Sequence, residues 1–410
     1  MKLRIKIFLV GLLFCSLSCQ KEPTPQKPTQ IVKDEVIVWQ EPLWEIPHDT
    51  ANYISSTVYP YFKFDDKVIV DTYKDGKGGF RCMIVETGEV VWAKYFNTST
   101  DFTGGQSFSL RGSLFTPEEG YLIIMIGEWG ERRHIKLDIE TGKTLWETPL
   151  ETLGVAMDVS GNHYYCLVNT SDDVCPIYRV DISSGAAEYF YSTPLPAHPN
   201  IDWQRFGYAR PFHCYGKEYI FIAETRRSKS DSAEYFASLL DPETMELLVK
   251  HIPLDNHLNK VEVFNNQVYL FTGGGYKIFS METLTFERDV RLIDWGDYVY
   301  HTFYKDKLIV GLSPNNTLNV NGHYVVDLKT HKLLHIFEGW VLPPAILDDI
   351  LYYVSSGKVF QAYNLNTGQR VLYFDLKYRS QFGVATYKNA KGKKFVVVGD
   401  DGFTYCYEAI

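Results

Sequence analysis

One hairpin signature returns along this chain and leaves little freedom in what it can fold into. Met83-Ile84-Val85-Glu86-Thr87-Gly88-Glu89-Val90-Val91-Trp92 aligns with Lys136-Leu137-Asp138-Ile139-Glu140-Thr141-Gly142-Lys143-Thr144-Leu145-Trp146. Looser copies read VDISSGAAEYF (180–190), LLDPETMELLV (239–249), IFSMETLTFE (278–287), VVDLKTHKLLH (325–335) and YNLNTGQRVLY (363–373). The turn position falls at 88, 142, 185, 245, 284, 331 and 368, about 47 residues apart on average, a spacing in the range of propeller repeats. Each copy is an apolar run, a reversal and a second apolar run, the pattern of two antiparallel strands. Gly suits the last turn position because a three-residue hairpin loop places it in the left-handed region. Met245, Leu284 and His331 depart from this, so their turns are either strained or of another type.

A second hairpin precedes each of these turns, as in KFDDKVIV (63–70), VFNNQVYL (263–270), FYKDKLIV (303–310) and ILDDILYYV (346–354). Each unit therefore has four antiparallel strands, and radial stacking of such sheets builds a β-propeller. The 29 Tyr, 25 Phe and 8 Trp favour strands, and few segments carry a helical period. Residues 382–410 supply three strands without a fourth. The stretch VIVWQEPL, Val36 to Leu43, resembles KTLWETPL at 143–150, the last strand of a unit. It is expected to complete the final blade, since an open ring would leave a bare sheet edge. The expected fold is all-β, an eight-bladed propeller of four-stranded antiparallel blades closed by the N-terminal strand; seven blades result if the copy around 284 is discounted. Trp39, Trp92 and Trp146 then share one structural position on the outer strand.

The first residues read as a targeting segment. Lys2, Arg4 and Lys6 precede a short apolar stretch, Ile7 to Phe14. Ser16-Leu17-Ser18-Cys19 resembles the lipobox of bacterial lipoproteins, which implies lipid attachment at Cys19; Ser16 stands where Leu is usual. The organisation expected is a signal peptide over 1–18, a flexible Pro-rich tether over 19–35 and one propeller domain over 36–410. Loss of Lys2, Arg4 and Lys6 takes the formal net charge from −9 to −12, which argues against nucleic acid as partner. Cys166 and Cys175 flank a turn, and they either pair as a disulfide or are two buried small apolar residues.

Little in the chain carries chemistry. No GxSxG, HExxH or phosphate-cradling Gly-Lys-Ser/Thr loop occurs, and the 11 His show no metal-ligand spacing. His331 and His335 are four apart but lie across a turn and strand, so neither metal nor catalytic residues are assigned. The acidic pairs Asp65-Asp66, Asp348-Asp349 and Asp400-Asp401 sit at hairpin turns, where Asp stabilises the turn itself. Gly273-Gly274-Gly275 reads as a tight turn. One similarity rises above this background: Ile201-Asp202-Trp203 and Ile293-Asp294-Trp295 each lie between the last strand of one blade and the first of the next, and Trp340 has a similar setting. Such Trp residues either wedge between neighbouring blades or form an aromatic platform at one mouth of the ring, with Asp202, Trp203, Asp294, Trp295 and Trp340 as the contacts.

The pattern Asp-x-x-Thr-Gly-x-x-Leu-Trp, with the preceding Gly399-Asp400-Asp401-Gly402 turn, resembles the PQQ-like β-propeller repeat over most of residues 36–410. Two branches of that family bear on function. Quinoprotein dehydrogenases hold pyrroloquinoline quinone and calcium at the axis, whereas the outer-membrane assembly lipoproteins of the BamB type hold no cofactor and dock on a barrel-assembly protein. The chain has no vicinal Cys pair of the kind that contacts the quinone, and it is closer to the second branch. The resemblance implies a non-catalytic scaffold without cofactor, lipid-anchored in the bacterial envelope at the outer membrane, whose partner is an envelope protein. The aromatic loops leave a glycan-binding accessory role open, and an enzyme at the axis is the third reading.

Overall fold

The repeat becomes eight four-stranded antiparallel sheets, each a meander around one axis. The computed structural model describes residues 41–47, 62–74, 77–96, 114–116, 119–128, 131–148, 156–167, 174–194, 205–227, 233–314, 320–339, 341–355, 357–377, 383–400 and 403–410. Blade 1 spans 62–95, blade 2 114–147, blade 3 156–194, blade 4 205–254, blade 5 258–291, blade 6 296–338 and blade 7 345–375. Blade 8 takes Val384–Lys388, Lys394–Gly399 and Phe403–Glu408 from the end of the chain and its outer strand, Trp44–Pro47, from the beginning. The copy around 284 is a full blade, so the ring has eight.

Side-chain alternation explains why sheets with such apolar second strands stack radially. Val68 and Val70 point to blade 8 while Ile69, between them, points to blade 2; Tyr121 and Ile123 point to blade 3 while Leu122 and Ile124 point back to blade 1. A second strand buried on both faces must be apolar at every position, which is why these hairpins read KVIV, QVYL and KLIV. Among the described residues there are eight buried clusters, and each joins two neighbouring blades, so the hydrophobic core is itself a closed ring. Each fully buried Val, Leu or Ile stabilises by roughly 1.5–3 kcal/mol, which puts the main stabilisation between blades.

The closing strand is five residues later than the expected one. Trp44–Pro47 pairs with Phe403–Glu408, Trp44 opposite Cys406 and Ile46 opposite Thr404. Of the stretch 36–43, residues 36–40 fall outside the described part and Glu41–Leu43 form no strand, although the Leu43 amide still donates to the Cys406 carbonyl at 2.7 Å. Trp44, and not Trp39, is the counterpart of Trp92 and Trp146. The three indole N–H groups donate to Val85, Ile139 and Ile182 carbonyls at 2.9, 2.9 and 2.7 Å, in each case one blade onward. Leu43-Trp44-Glu45-Ile46-Pro47 matches Leu145-Trp146-Glu147-Thr148-Pro149 at four of five positions.

Those Trp residues also account for the glycines. All seven turns are of one type: the residue at 88, 142, 185, 245, 284, 331 or 368 has φ between 56° and 73° and its N–H donates to the carbonyl four residues back at 2.7–2.9 Å. Met245, Leu284 and His331 are thus strained members of the same class. A Cβ on Gly88, Gly142 or Gly185 would lie 2.6–2.8 Å from the ring of Trp44, Trp92 or Trp146 of the preceding blade, and one on Gly368 would lie 2.6 Å from the His335 ring. Where the facing position holds Val249 or Arg288, a side chain at 284 or 331 is accommodated; Val249 and Leu284 pack on one cluster, and Arg288 reaches the Thr330 carbonyl at 3.4 Å.

Candidate partner-binding surface

Trp295 lies in the connection between the outer strand of blade 5, Thr285–Arg291, and the inner strand of blade 6, Gly296–Tyr304. Leu292 and Ile293 turn inward and are buried, while Asp294 and Trp295 face solvent, Trp295 with 49% of its surface exposed. The wedge position between the blades is filled by Ile293, two residues upstream, in the core shared by blades 5 and 6. Trp295 is therefore free to act as a contact residue.

The loop is fixed from both sides. The Gly274 carbonyl accepts from the amides of Leu292 and Ile293 at 2.9 and 3.1 Å. Asn256, itself buried, donates from Nδ2 to the Gly296 carbonyl at 3.2 Å and accepts the His257 amide at 2.7 Å. Gly273 permits this approach, since a Cβ there would lie 1.9 Å from the Gly296 oxygen and 2.4 Å from Asn256 Nδ2. The exposed dipeptide is thus held between two anchored ends, which lowers the ordering entropy lost on binding. Asp297, also exposed, follows two residues later. A flat amphipathic ring beside carboxylates can stack on apolar or cationic groups and accept hydrogen bonds, as interface hot spots do.

The other residues singled out in the sequence divide in two. Cys19, Asp202, Trp203 and Trp340 lie outside the described residues. The Cys166–Cys175 pairing is not formed: Cys166 is a free, buried thiol 3.8 Å from the Tyr178 carbonyl. Strand register explains this, because Tyr178 stands opposite Cys166, whereas Cys175 is opposite Thr193 on the far side of its strand. Burial pushes the Cys166 thiol up, as expected of a small apolar core residue. Of the acidic pairs, Asp348 and Asp349 are turn residues with φ of 50° and 67°, and Asp400 accepts the Phe403 amide at 2.8 Å and the Tyr405 hydroxyl at 2.9 Å, while Asp401 lies outside the described residues. His331 and His335 belong to the turn and to the docking position already described.

Sequence reasoning missed the supports and the buried histidines. Asn256 carries no signal in the sequence, although the triple glycine facing it does. His301 stacks on Phe271 with ring centroids 4.0 Å apart, and its Nδ1 shares a hydrogen bond with the Tyr298 hydroxyl at 2.7 Å. Burial, with Lys260 nearby, pushes it down to about 3, so its 3.9 Å approach to Glu262 is no ion pair at neutral pH. His323 is wholly buried between blades 6 and 7; it bonds the Tyr300 hydroxyl through Nδ1 and packs edge-on against Tyr353 at 4.2 Å, while Nε2 meets no partner among the described residues. Burial pushes it, too, down to about 3. Among the described residues no three His, Cys, Asp or Glu side chains gather as a metal site would require.

No family model matches the sequence, and no curated protein matches it. Solved structures do resemble it. BamB from Moraxella catarrhalis is 14% identical, with 90% of this chain and 100% of that one covered at a TM-score of 0.53. Sqt1 from Saccharomyces cerevisiae is 11% identical over 89% of this chain and 100% of its own, with a TM-score of 0.57. A quinohemoprotein alcohol dehydrogenase from Comamonas testosteroni is 11% identical over 90% of this chain and 76% of its own, with a TM-score of 0.56. At these identities the common property is the fold, and the chain is an eight-bladed β-propeller of the architecture seen in BamB and in quinoprotein dehydrogenases.

Proposed function

We propose that this protein is a non-catalytic scaffold of the bacterial cell envelope, anchored by lipid on Cys19 to the outer membrane, which docks another envelope protein and serves outer-membrane protein assembly. The observation that carries the scaffold reading is the rigid display of Trp295 and Asp294 on a loop locked by Gly274 and Asn256. The sequence of the first residues supports the anchor, and the likeness to BamB supports the setting. The residues do not fit the quinone of the dehydrogenases: no two cysteines are adjacent anywhere in the chain, and no step is assigned to that group.

The test is co-purification of the full-length protein with the outer-membrane barrel-assembly protein from detergent-solubilised membranes. Trp295→Ala should cut recovery at least tenfold, while Asn256→Ala, which loosens the loop and leaves the ring exposed, should cut it to a smaller extent. Undiminished recovery with Trp295→Ala would remove this loop from the interface. The exposed ring beside a carboxylate also suits stacking on a sugar face, so a glycan array forms the second arm. Glycan binding lost in Trp203→Ala and Trp295→Ala would replace the protein-scaffold reading, and quinone-dependent dye reduction with added calcium would replace both.

A further inference from the structure

The opposite face of the ring carries the tight turns that join the first strand to the second and the third to the fourth. In six blades the first of these turns places Asp65, Gly120, Gly161, Asn265, Asp348 or Gly392 at positive φ, all residues that suit such a turn, and in blade 6 it places Lys305, whose ammonium pairs with Asp349 at 2.7 Å. Blade 4 differs. Its turn between Arg205–Cys214 and Lys217–Arg227 places Tyr215 at φ 52°, ahead of Gly216 at 75°, and the ring is 64% exposed. The second turn of the same blade places Met245 at φ 59°, where four blades have glycine, and Met245 is 43% exposed. A bulky residue in the left-handed region is an outlier that costs stability, and here two stand at one edge of one blade with their side chains in solvent.

The two turns are neighbours. Lys217, next to Tyr215–Gly216, binds Asp241 at 2.7 Å and Glu243 at 3.5 Å at the start of the Met245 turn, and two strand spacings separate the tips by about 10 Å. Blade 3 adds Tyr189, 57% exposed, at the position from which Trp92 and Trp146 reach the next blade's turn. The rim is acidic. Glu188 pairs with Arg179, and the buried Asp241 and the exposed Glu243 share Lys217, so with the exposed Glu246 four carboxylates stand against two cations.

From this we infer a second docking surface, built of Tyr189, Tyr215 and Met245, whose occupant is a protein segment that presents an apolar or aromatic anchor flanked by Lys or Arg. The strained turns hold the apolar tips outward, and the excess of carboxylate supplies charge complementarity to a basic segment. The same excess disfavours an anionic membrane surface and a second copy of this chain. The surface is on the face away from Trp295, so it extends the scaffold reading to two simultaneous contacts.

The experiment uses synthetic 15-residue peptides with a central Trp or Leu flanked by Lys and Arg, and twins with Glu in the flanks, titrated into the full-length protein by fluorescence anisotropy. The basic peptides should bind at least tenfold tighter than their acidic twins and lose at least fivefold between 50 and 500 mM salt. Tyr215→Asn combined with Met245→Gly should abolish this binding by at least tenfold while the melting temperature stays level or rises, because Asn and Gly relieve the turns. Trp295→Ala should leave it unchanged, which separates this surface from the first. Equal binding of the twins, no binding by any peptide, or binding that survives the double variant would overturn the inference. So would vesicle binding to phosphatidylglycerol, or a concentration-dependent dimer, that disappears with the same two substitutions.

Discussion

Gly142→Ala tests the coupling between each indole and the turn beneath it. The added Cβ would lie 2.6 Å from Cδ2 and Cε3 and 3.1 Å from Cγ of Trp92, well inside van der Waals contact. At φ 67° the alanine backbone costs about 1 kcal/mol relative to glycine. The ring must also lift, which breaks the 2.9 Å bond from Nε1 to the Ile139 carbonyl at a net loss of about 1 kcal/mol. Partial re-exposure of the indole adds roughly 1 kcal/mol more. The sum, about 3 kcal/mol, should appear as a lower urea midpoint at unchanged m-value in near-ultraviolet circular dichroism. In a Trp92→Val background, which copies the natural pair Val249 and Leu284, only the backbone cost of about 1 kcal/mol should remain. A Gly142→Ala penalty equal in the two backgrounds would refute the docking account and leave backbone strain as the whole reason for glycine.

Two further outcomes follow from the same packing. His301 and His323 are held down to about 3 by burial, against 6.5 when unfolded, so both take up protons on unfolding between these values. Their contribution is complete above pH 6.5 and is lost as pH falls toward 3; acid titration of stability should be shallower in a His301→Asn, His323→Gln variant by up to about 1.4 kcal/mol per pH unit for each histidine. Chains lacking residues 2–40 should melt as the full chain does. Chains lacking 2–47 lose Trp44 and its bond to Val85, expose the Phe403–Glu408 edge, and should melt far lower and aggregate; equal melting would move the closing strand elsewhere.

The hairpins were legible because their information is local: KVIV or KLIV ahead of a turn residue states both a strand and its burial on two faces. The closing strand was legible in kind and misplaced in register. Two Trp-containing stretches five residues apart both fit an outer strand, and the choice between them rests on the Val85 carbonyl and Gly88, which lie in another blade. The same holds for Met245, Leu284 and His331: their turns are of the glycine type, and whether a side chain is tolerated there depends on the residue that faces it from the preceding blade, 35 to 56 residues upstream. Trp295 could be a wedge or a platform on sequence alone, since both demand an aromatic residue between blades. Ile293 decides it by taking the interior place. Cys166 and Cys175 flank a hairpin as a disulfide would, yet the register puts Tyr178 where Cys175 would have to stand.

The pairing of Trp44 with Cys406 also sets an order of events. The strand that completes the ring is made before the other described strands and finds its partner only after the last of them. Until then seven sheets can stack as an open arc, with blade 1 exposing the face that later meets blade 8 and the core between them unformed. Pairing across so long a loop is slow in proportion to its contact order. A chain of this design therefore closes its ring only after its last strand has been made and can meet Trp44–Pro47.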